Sequence, residues 1–249
     1  RPYSISDNRI YSLYSDHYNN LWVGTFNGLN KLDSRSPKFR LYRSQPSLEY
    51  GFVNNSVWAF LEAENGKIWI GTDHGITIAD RKQNTFELLI PRQEAKFGIS
   101  QNLVRSLFRD SKGFYWIGFR NSGLSRYDPT TKTFRHFVSD PKDSNSLPNN
   151  YVTDIQEDSL GRIWVATDDG LARLNETSDG FIVYRNQNNK TGSFSLNRVY
   201  DLFIDRSGRY WLATLTGLAL YNYQDDKFML FQSNDPGREI FTTGRDKLF

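Results

Sequence analysis

Trp22, Trp69, Trp116, Trp164 and Trp211 recur at intervals of 47, 47, 48 and 47 residues. The phrases around them are LWVGTFNGLNKLD, IWIGTDHGITIAD, YWIGFRNSGLSRYD, IWVATDDGLARLN and YWLATLTGLALYN. A fixed period of this length is the mark of solenoids and propellers, in which each repeat is one supersecondary unit that buries its apolar face only against its neighbours. Trp58 is the single tryptophan outside the register.

Each repeat carries four strand-sized runs. The first holds two apolar residues three apart: Ile10/Leu13, Val57/Phe60, Val104/Leu107, Val152/Ile155 and Val199/Leu202. On a regular strand that spacing puts the pair on opposite faces, as in an inner strand buried between two layers. Turns such as AENGK, DSKGF, DSLGR and DRSGR follow, where Asp or Asn with Gly suits a short hairpin loop. The Trp strand comes next. Its Trp shares a face with the residue two later, which is Gly24, Gly71, Gly118, Ala166 or Ala213, so a small side chain beside a large one leaves room for a neighbouring sheet. A further glycine (Gly28, Gly75, Gly123, Gly170, Gly217) opens the third strand at a turn expected to need positive φ. That strand ends near Asp33, Asp80, Asp128, Asn175 and Asn222, and the fourth contains Phe39, Phe86, Phe134, Phe181 and Phe228.

No run has the period of an amphipathic helix. Four-stranded sheets at this spacing predict an all-β chain, a β-propeller of four-stranded antiparallel blades in five repeats of about 47 residues. The repeats form either a closed five-blade disc or an arc of a larger seven-bladed propeller. As one domain over 1–249, the blades would fall near 5–48, 49–98, 99–145, 146–194 and 195–235. The tail TTGRDKLF could start a sixth copy, with Arg245 where Val is expected. An open arc would leave strand edges and apolar faces exposed.

Composition narrows the chemistry. Cysteine is absent, which removes disulfides, thiolate metal sites and Cys nucleophiles. A net charge of +3 is spread along the chain, too dilute for a nucleic-acid face. No apolar run approaches the ~20 residues of a membrane helix. His17, His74 and His136 sit at non-equivalent repeat positions, against a shared metal site. The Asp-x-x-Gly turns offer too few oxygens for calcium, and no nucleotide, cofactor or hydrolase motif appears in its required context. No cofactor is expected. The adjacent acids Asp168-Asp169 and Asp225-Asp226 do not make a glycosidase pair by themselves.

What varies between repeats is polar and loop-borne. Long connections such as VSDPKDSNSLPNN, together with the turns after the Trp strands, should share one face of the disc. After the Trp strands stand Phe26-Asn27, Asp73-His74, Arg120-Asn121-Ser122, Asp168-Asp169 and Leu215-Thr216. Before the inner strands stand Asn8-Arg9, Asn54-Asn55, Gln101-Asn102, Asn149-Asn150-Tyr151 and Asn197-Arg198. Most such residues serve as solvated turns and caps. As a set, Asp73, His74, Arg120, Asn121, Tyr151, Asp168 and Arg198 are the expected ligand contacts, supplying paired hydrogen bonds and an aromatic platform over the channel mouth.

The stretch SLPNNYVTDIQEDSLGRIWVATDDGLARLN resembles the two-component regulator propeller repeat, whose pattern runs Asn, Val, Ile, Asp, Gly, then Leu/Ile-Trp-Ile/Val-Gly-Thr, then Gly-Leu and an acidic end. Five copies cover almost the whole chain. The resemblance implies a ligand-sensing region of a bacterial hybrid two-component regulator, periplasmic, responsive to glycan-derived oligosaccharides, homodimeric in the full-length receptor and coupled to a histidine kinase across the membrane. Family sensors carry repeats enough for two seven-bladed propellers and an immunoglobulin-like domain, so the resemblance makes this chain a piece of such a receptor, tied to a membrane only through segments it lacks. It also implies a binding rather than catalytic module. A lectin-like or protein-binding scaffold, and a propeller hydrolase or lyase with acids at the channel mouth, are the competing readings.

Overall fold

The computed structural model describes residues 4–33, 38–44, 54–63, 66–80, 83, 85–89, 103–175, 180–185, 198–222 and 227–231. These form five four-stranded antiparallel sheets, each a meander in chain order. The inner strands are β1 (Ile10–Ser15), β5 (Val57–Glu62), β9 (Val104–Arg109), β13 (Val152–Glu157) and β17 (Val199–Ile204). The Trp strands are β2 (Leu21–Thr25), β6 (Ile68–Thr72), β10 (Tyr115–Phe119), β14 (Ile163–Thr167) and β18 (Tyr210–Thr214). Third strands are β3 (Gly28–Leu32), β7 (Gly75–Asp80), β11 (Leu124–Asp128), β15 (Gly170–Asn175) and β19 (Gly217–Asn222). Outer strands are β4 (Phe39–Tyr42), β8 (Thr85–Leu89), β12 (Thr133–Phe137), β16 (Gly180–Tyr184) and β20 (Lys227–Phe231).

The Trp and small-residue pair works as its spacing predicts. A Cβ added at Gly118 would lie 2.6 Å from Val152 Cγ1 on the next inner strand, and one at Gly71 would lie 2.7 Å from Val104 Cγ1. The bare backbone is therefore what admits Val57, Val104 and Val152, whereas Val199 packs against Ala166. Trp22, Trp69, Trp116 and Trp164 are buried against the sheet that follows. The glycine opening the third strand has positive φ in every sheet. At Gly123, with φ 73°, a Cβ would sit 2.2 Å from the Phe137 carbonyl oxygen, so no other residue fits.

One expectation is corrected. The apolar pairs three apart on the inner strands lie on the same face, not on opposite faces. Val57 pairs with Thr72, Ala59 with Gly71 and Phe60 with Ile70, so one extra residue is inserted at Trp58. Equivalent register shifts occur in β1, β9, β13 and β17. The bulge restores the face of the second apolar residue and re-aims the side chain of the inserted one. Tyr11, Trp58, Arg105, Thr153 and Tyr200 are the five residues so displaced.

Asp–Trp contacts tie the hairpins. Asp16, Asp110, Asp158 and Asp205 accept the indole N–H of the Trp six residues on, at 2.9, 2.7, 2.8 and 3.0 Å. Those carboxylates also cap backbone N–H groups of their own turns. The second repeat has Ala63 at this position. The connection over residues 138–151 is anchored by buried Leu147 and by Asn150, whose Oδ1 accepts Ser139 N–H at 2.7 Å.

Each inner strand packs on that of the following sheet, while among the described residues the first and last sheets share no comparable contact. Exposure agrees. Ile10 and Leu13 are 48% and 64% exposed, whereas Val57, Val104, Val152 and Val199 are fully buried. At the far end Ala213 is exposed where Ala166 is buried, and Phe203 is 56% exposed. Of the two arrangements expected, the described residues take the form of an arc with both terminal sheet faces uncovered.

Asp154 bridges two sheets. Its Oδ2 accepts Leu202 N–H at 3.2 Å and Gln156 Nε2–H at 3.3 Å. Burial, and then the nearby Asp201 charge, push its carboxyl up to about 7. The folded chain therefore holds a proton that the unfolded chain releases near pH 4, and stability falls as pH rises from about 4 to 7, by up to about 1 kcal/mol per pH unit. Thermal unfolding followed at about pH 5 and pH 8 should show a smaller difference in Asp154→Asn than in the parent; an identical difference would exclude this group as its source.

Candidate site at the channel mouth

The turns after the Trp strands and the segments before the inner strands meet on one face. Phe26 N–H donates to Arg9 O, Arg120 N–H to Leu103 O, Asp168 N–H to Tyr151 O and Leu215 N–H to Arg198 O, all at 3.0–3.1 Å. The inner-strand bulges open onto this face, and the first three carry a stack. The Tyr11 and Trp58 rings lie 3.9 Å apart and tilted by only 8°. On from Trp58, the Arg105 guanidinium carbon is 3.4 Å from the indole centroid. Phe26 meets Tyr11 edge-on at 6.4 Å and carries Arg9 over its ring at 3.6 Å.

Asp73 fixes this stack from the side. Its Oδ1 accepts the Trp58 indole N–H at 2.9 Å and lies 3.5 Å from Arg105 Nη1. Burial, against the nearby Tyr151 and Asp73, holds the Arg105 pKa below its ordinary value, with the Arg120 charge adding to the depression. Arg120 itself stands 6.0 Å from the Tyr151 ring centroid. Asp73, Arg120 and Tyr151 thus converge on Arg105.

The other expected contacts are placed differently. His74 Nδ1 is 3.0 Å from Asn54 Nδ2 beside the same turn as Asp73, while Asn121 is exposed in its turn. Asp168 and Arg198 are bound to each other across the fourth and fifth sheets, through Arg198 Nη2 at 2.8 Å and a close Nε contact, and the Asp168 hydrogen bonds raise the Arg198 pKa. Asp169 faces Arg185 at 3.4 Å, so the two adjacent acids serve different partners. Several polar loop residues prove to be turn caps: Asn54 Oδ1 accepts Ser56 N–H, Asn149 Oδ1 accepts Tyr151 N–H and Asn55 Oδ1 accepts Ser44 N–H. Gln101, Asn102, Asn197, Asp225, Asp226 and Arg245 lie outside the described residues.

Residue patterns alone missed Tyr11, Trp58 and Arg105. A signal existed, because Trp58 breaks the tryptophan register and each of these residues directly follows the first apolar residue of an inner strand. Without the bulge that position reads as an ordinary strand residue.

The described residues contain no group of three or more His, Asp or Glu able to hold a metal. Nor does any helix among them have the length and apolarity to cross a membrane. The three histidines are apart: His17 contacts Glu62, His74 contacts Asn54, and His136 Nδ1 is 2.7 Å from Ser125 Oγ.

Five segments, 4–27, 51–74, 98–121, 146–169 and 193–216, match the family described as two component regulator propeller. No curated protein matches the chain. Among solved structures it resembles one described as the extracellular domain of a hybrid two component system, BT3049 from B. thetaiotaomicron, with TM-score 0.78 and 22% identity over 90% of this chain. PorZ, a surface component of the type-IX secretion system of Porphyromonas gingivalis, aligns with TM-score 0.64 and 18% identity over 89% of this chain. Virginiamycin B lyase from Staphylococcus aureus gives TM-score 0.66 at 11% identity, covering 95% of this chain and 74% of the lyase. The chain spans 30% of the first of these structures and 33% of the second. At such identities the likeness is one of fold.

Proposed function

We propose, from the premise that this chain is built of two component regulator propeller repeats, one in each of its five sheets, that it is a ligand-sensing extracytoplasmic propeller segment of a bacterial hybrid two-component system. Its ligand is a glycan-derived oligosaccharide, bound at the channel mouth. In the full-length protein, a homodimer, binding biases a histidine kinase on the other side of the membrane. The ligand must favour one signalling state over the other, since equal affinity shifts nothing.

The observation that carries this reading is the Tyr11–Trp58–Arg105 stack held from one side by Asp73. With both Trp58 faces covered by Tyr11 and Arg105, the stack offers its aromatic edge, and an apolar edge bordered by a few convergent polar groups suits a sugar with its hydroxyls. Its lining comes from bulges, positions that the blade core does not require. Catalysis is not part of the proposal: Asp73 is engaged by Trp58 and Arg105, and Asp168 by Arg198, so neither carboxylate is poised as a free acid or base.

Tryptophan fluorescence and calorimetry with an oligosaccharide panel test this. Binding of at least one glycan is expected, weakened about tenfold or more in Trp58→Ala because a central aromatic anchor is lost. Binding that is indifferent to Trp58 would move the site elsewhere, and glycan turnover abolished in Asp73→Asn would replace sensing by catalysis.

A further inference from the structure

Arg105 is a buried cation that the protein leaves underused. Its side chain is 7% exposed, yet Nε and Nη1 have no hydrogen-bond partner among the described residues. Asp73 is near enough to attract Nη1, at 3.5 Å, without making a hydrogen bond, and the same carboxylate oxygen already accepts the Trp58 indole N–H. Buried donors of a charged group are rarely left unmatched, because nothing replaces the water they lose.

A second cation sharpens the imbalance. Arg120 is close enough for its charge to oppose that of Arg105, with Tyr151 beside both. Two guanidinium groups thus face one carboxylate. The other nearby acid–base pairs are closed: Arg9 is held by Asp7, and Arg198 by Asp168. Like charges gathered beside one counter-charge favour an anionic guest.

We propose that the channel mouth recognises a carboxylate on its ligand, so that the sensed oligosaccharide carries a uronic acid whose carboxylate pairs with Arg105 and Arg120 while its ring lies along the edge of the stack, the Trp58 faces being covered by Tyr11 and Arg105. This rests on the sensor reading above and adds the ligand's charge to it. A guanidinium binds a carboxylate through charge-assisted hydrogen bonds, which a neutral sugar hydroxyl does not reproduce. Stacking on Trp58 holds the Arg105 guanidinium in one orientation before the ligand arrives.

The test is calorimetry of the chain with galacturonate and glucuronate disaccharides, their methyl esters, and the neutral galactose and glucose counterparts. At least one acidic disaccharide should bind about tenfold or more tightly than its ester. Arg105→Gln should remove that preference. Arg120→Gln, at an exposed position where folding is not at stake, should reduce it as well. Neutral and acidic forms binding alike would overturn the carboxylate assignment while leaving the sensor reading in place. An acid preference that survives both substitutions would also overturn it. Failure of every sugar to bind would overturn both.

Discussion

Trp164→Ala should destabilise the chain by about 3–5 kcal/mol, and Trp211→Ala by less than half as much. The two residues occupy equivalent repeat positions, so the difference isolates what the next sheet contributes. Trp164 is fully buried, with Tyr184, Tyr210 and Tyr221 centred 5.2–5.5 Å from its ring and Val199 of the following inner strand in the same cluster. Removing it empties a close-packed space that the rigid sheets cannot collapse to fill. Trp211 keeps its hydrogen bond to Asp205 and a contact with Phe231 at 6.2 Å, but it is half-buried and the neighbouring Ala213 is exposed. Urea unfolding followed by circular dichroism measures both. Equal losses would mean that the last sheet is covered as fully as the fourth, and the open arc would be wrong.

Asp158→Ala is the second large effect, about 3–5 kcal/mol, the range for removing one partner of a buried ion pair. The Asp158 side chain is fully buried, and it accepts Trp164 Nε1–H at 2.8 Å, Arg162 Nε–H at 2.6 Å, Tyr210 O–H at 3.0 Å and Leu160 N–H at 2.9 Å. Without the carboxylate, those donors are left in a space too small to rehydrate freely. Asp205→Ala removes the same turn cap at the open end, where Arg209 is exposed, and should cost less, about 1–2 kcal/mol. The Asp158 latch is also acid-sensitive. Burial alone would raise its pKa, but the hydrogen bonds from Trp164, Arg162 and Leu160 outweigh burial and lower it. Its stabilisation is therefore complete above about pH 4 and lost as pH falls through the depressed folded value. Unfolding midpoints measured for Asp158→Asn below pH 4 should fall less steeply than those of the parent. A parallel fall would assign the acid sensitivity to other carboxylates.

The blade plan is readable in the residues because it repeats. Trp beside Gly or Ala, Gly before the third strand and Phe in the fourth are each demanded by a local requirement: bulk against a gap, positive φ, and an apolar outer strand. Those requirements act within one sheet or between neighbouring sheets of the same design, so five copies state them five times. The Asp–Trp latch was half visible. The turn aspartates are legible as hairpin residues, but that one carboxylate also reaches an indole six positions away follows from the hairpin's geometry.

The arrangement of the candidate site was legible in part. Asp73, Arg120 and Tyr151 were expected at one face and they converge there, whereas Asp168 and Arg198 satisfy each other. Their hub, Arg105, and its platform, Tyr11 and Trp58, were not expected. A period-two reading of the inner strand assigns those residues to a sheet face, and only the inserted bulge turns them out of it. A bulge is decided by pairing register, which depends on the neighbouring strand rather than on the strand's own residues.

The sequence by itself determined five copies of a four-stranded sheet and the way each indole meets the next, because short-range pattern and packing volume specify both. The tertiary structure alone decided which side chains face the channel and whether the row of sheets meets itself. Both depend on contacts between distant segments, and uncovered Ile10 and Leu13 at one end, with Phe203 and Ala213 at the other, record that the described sheets do not close.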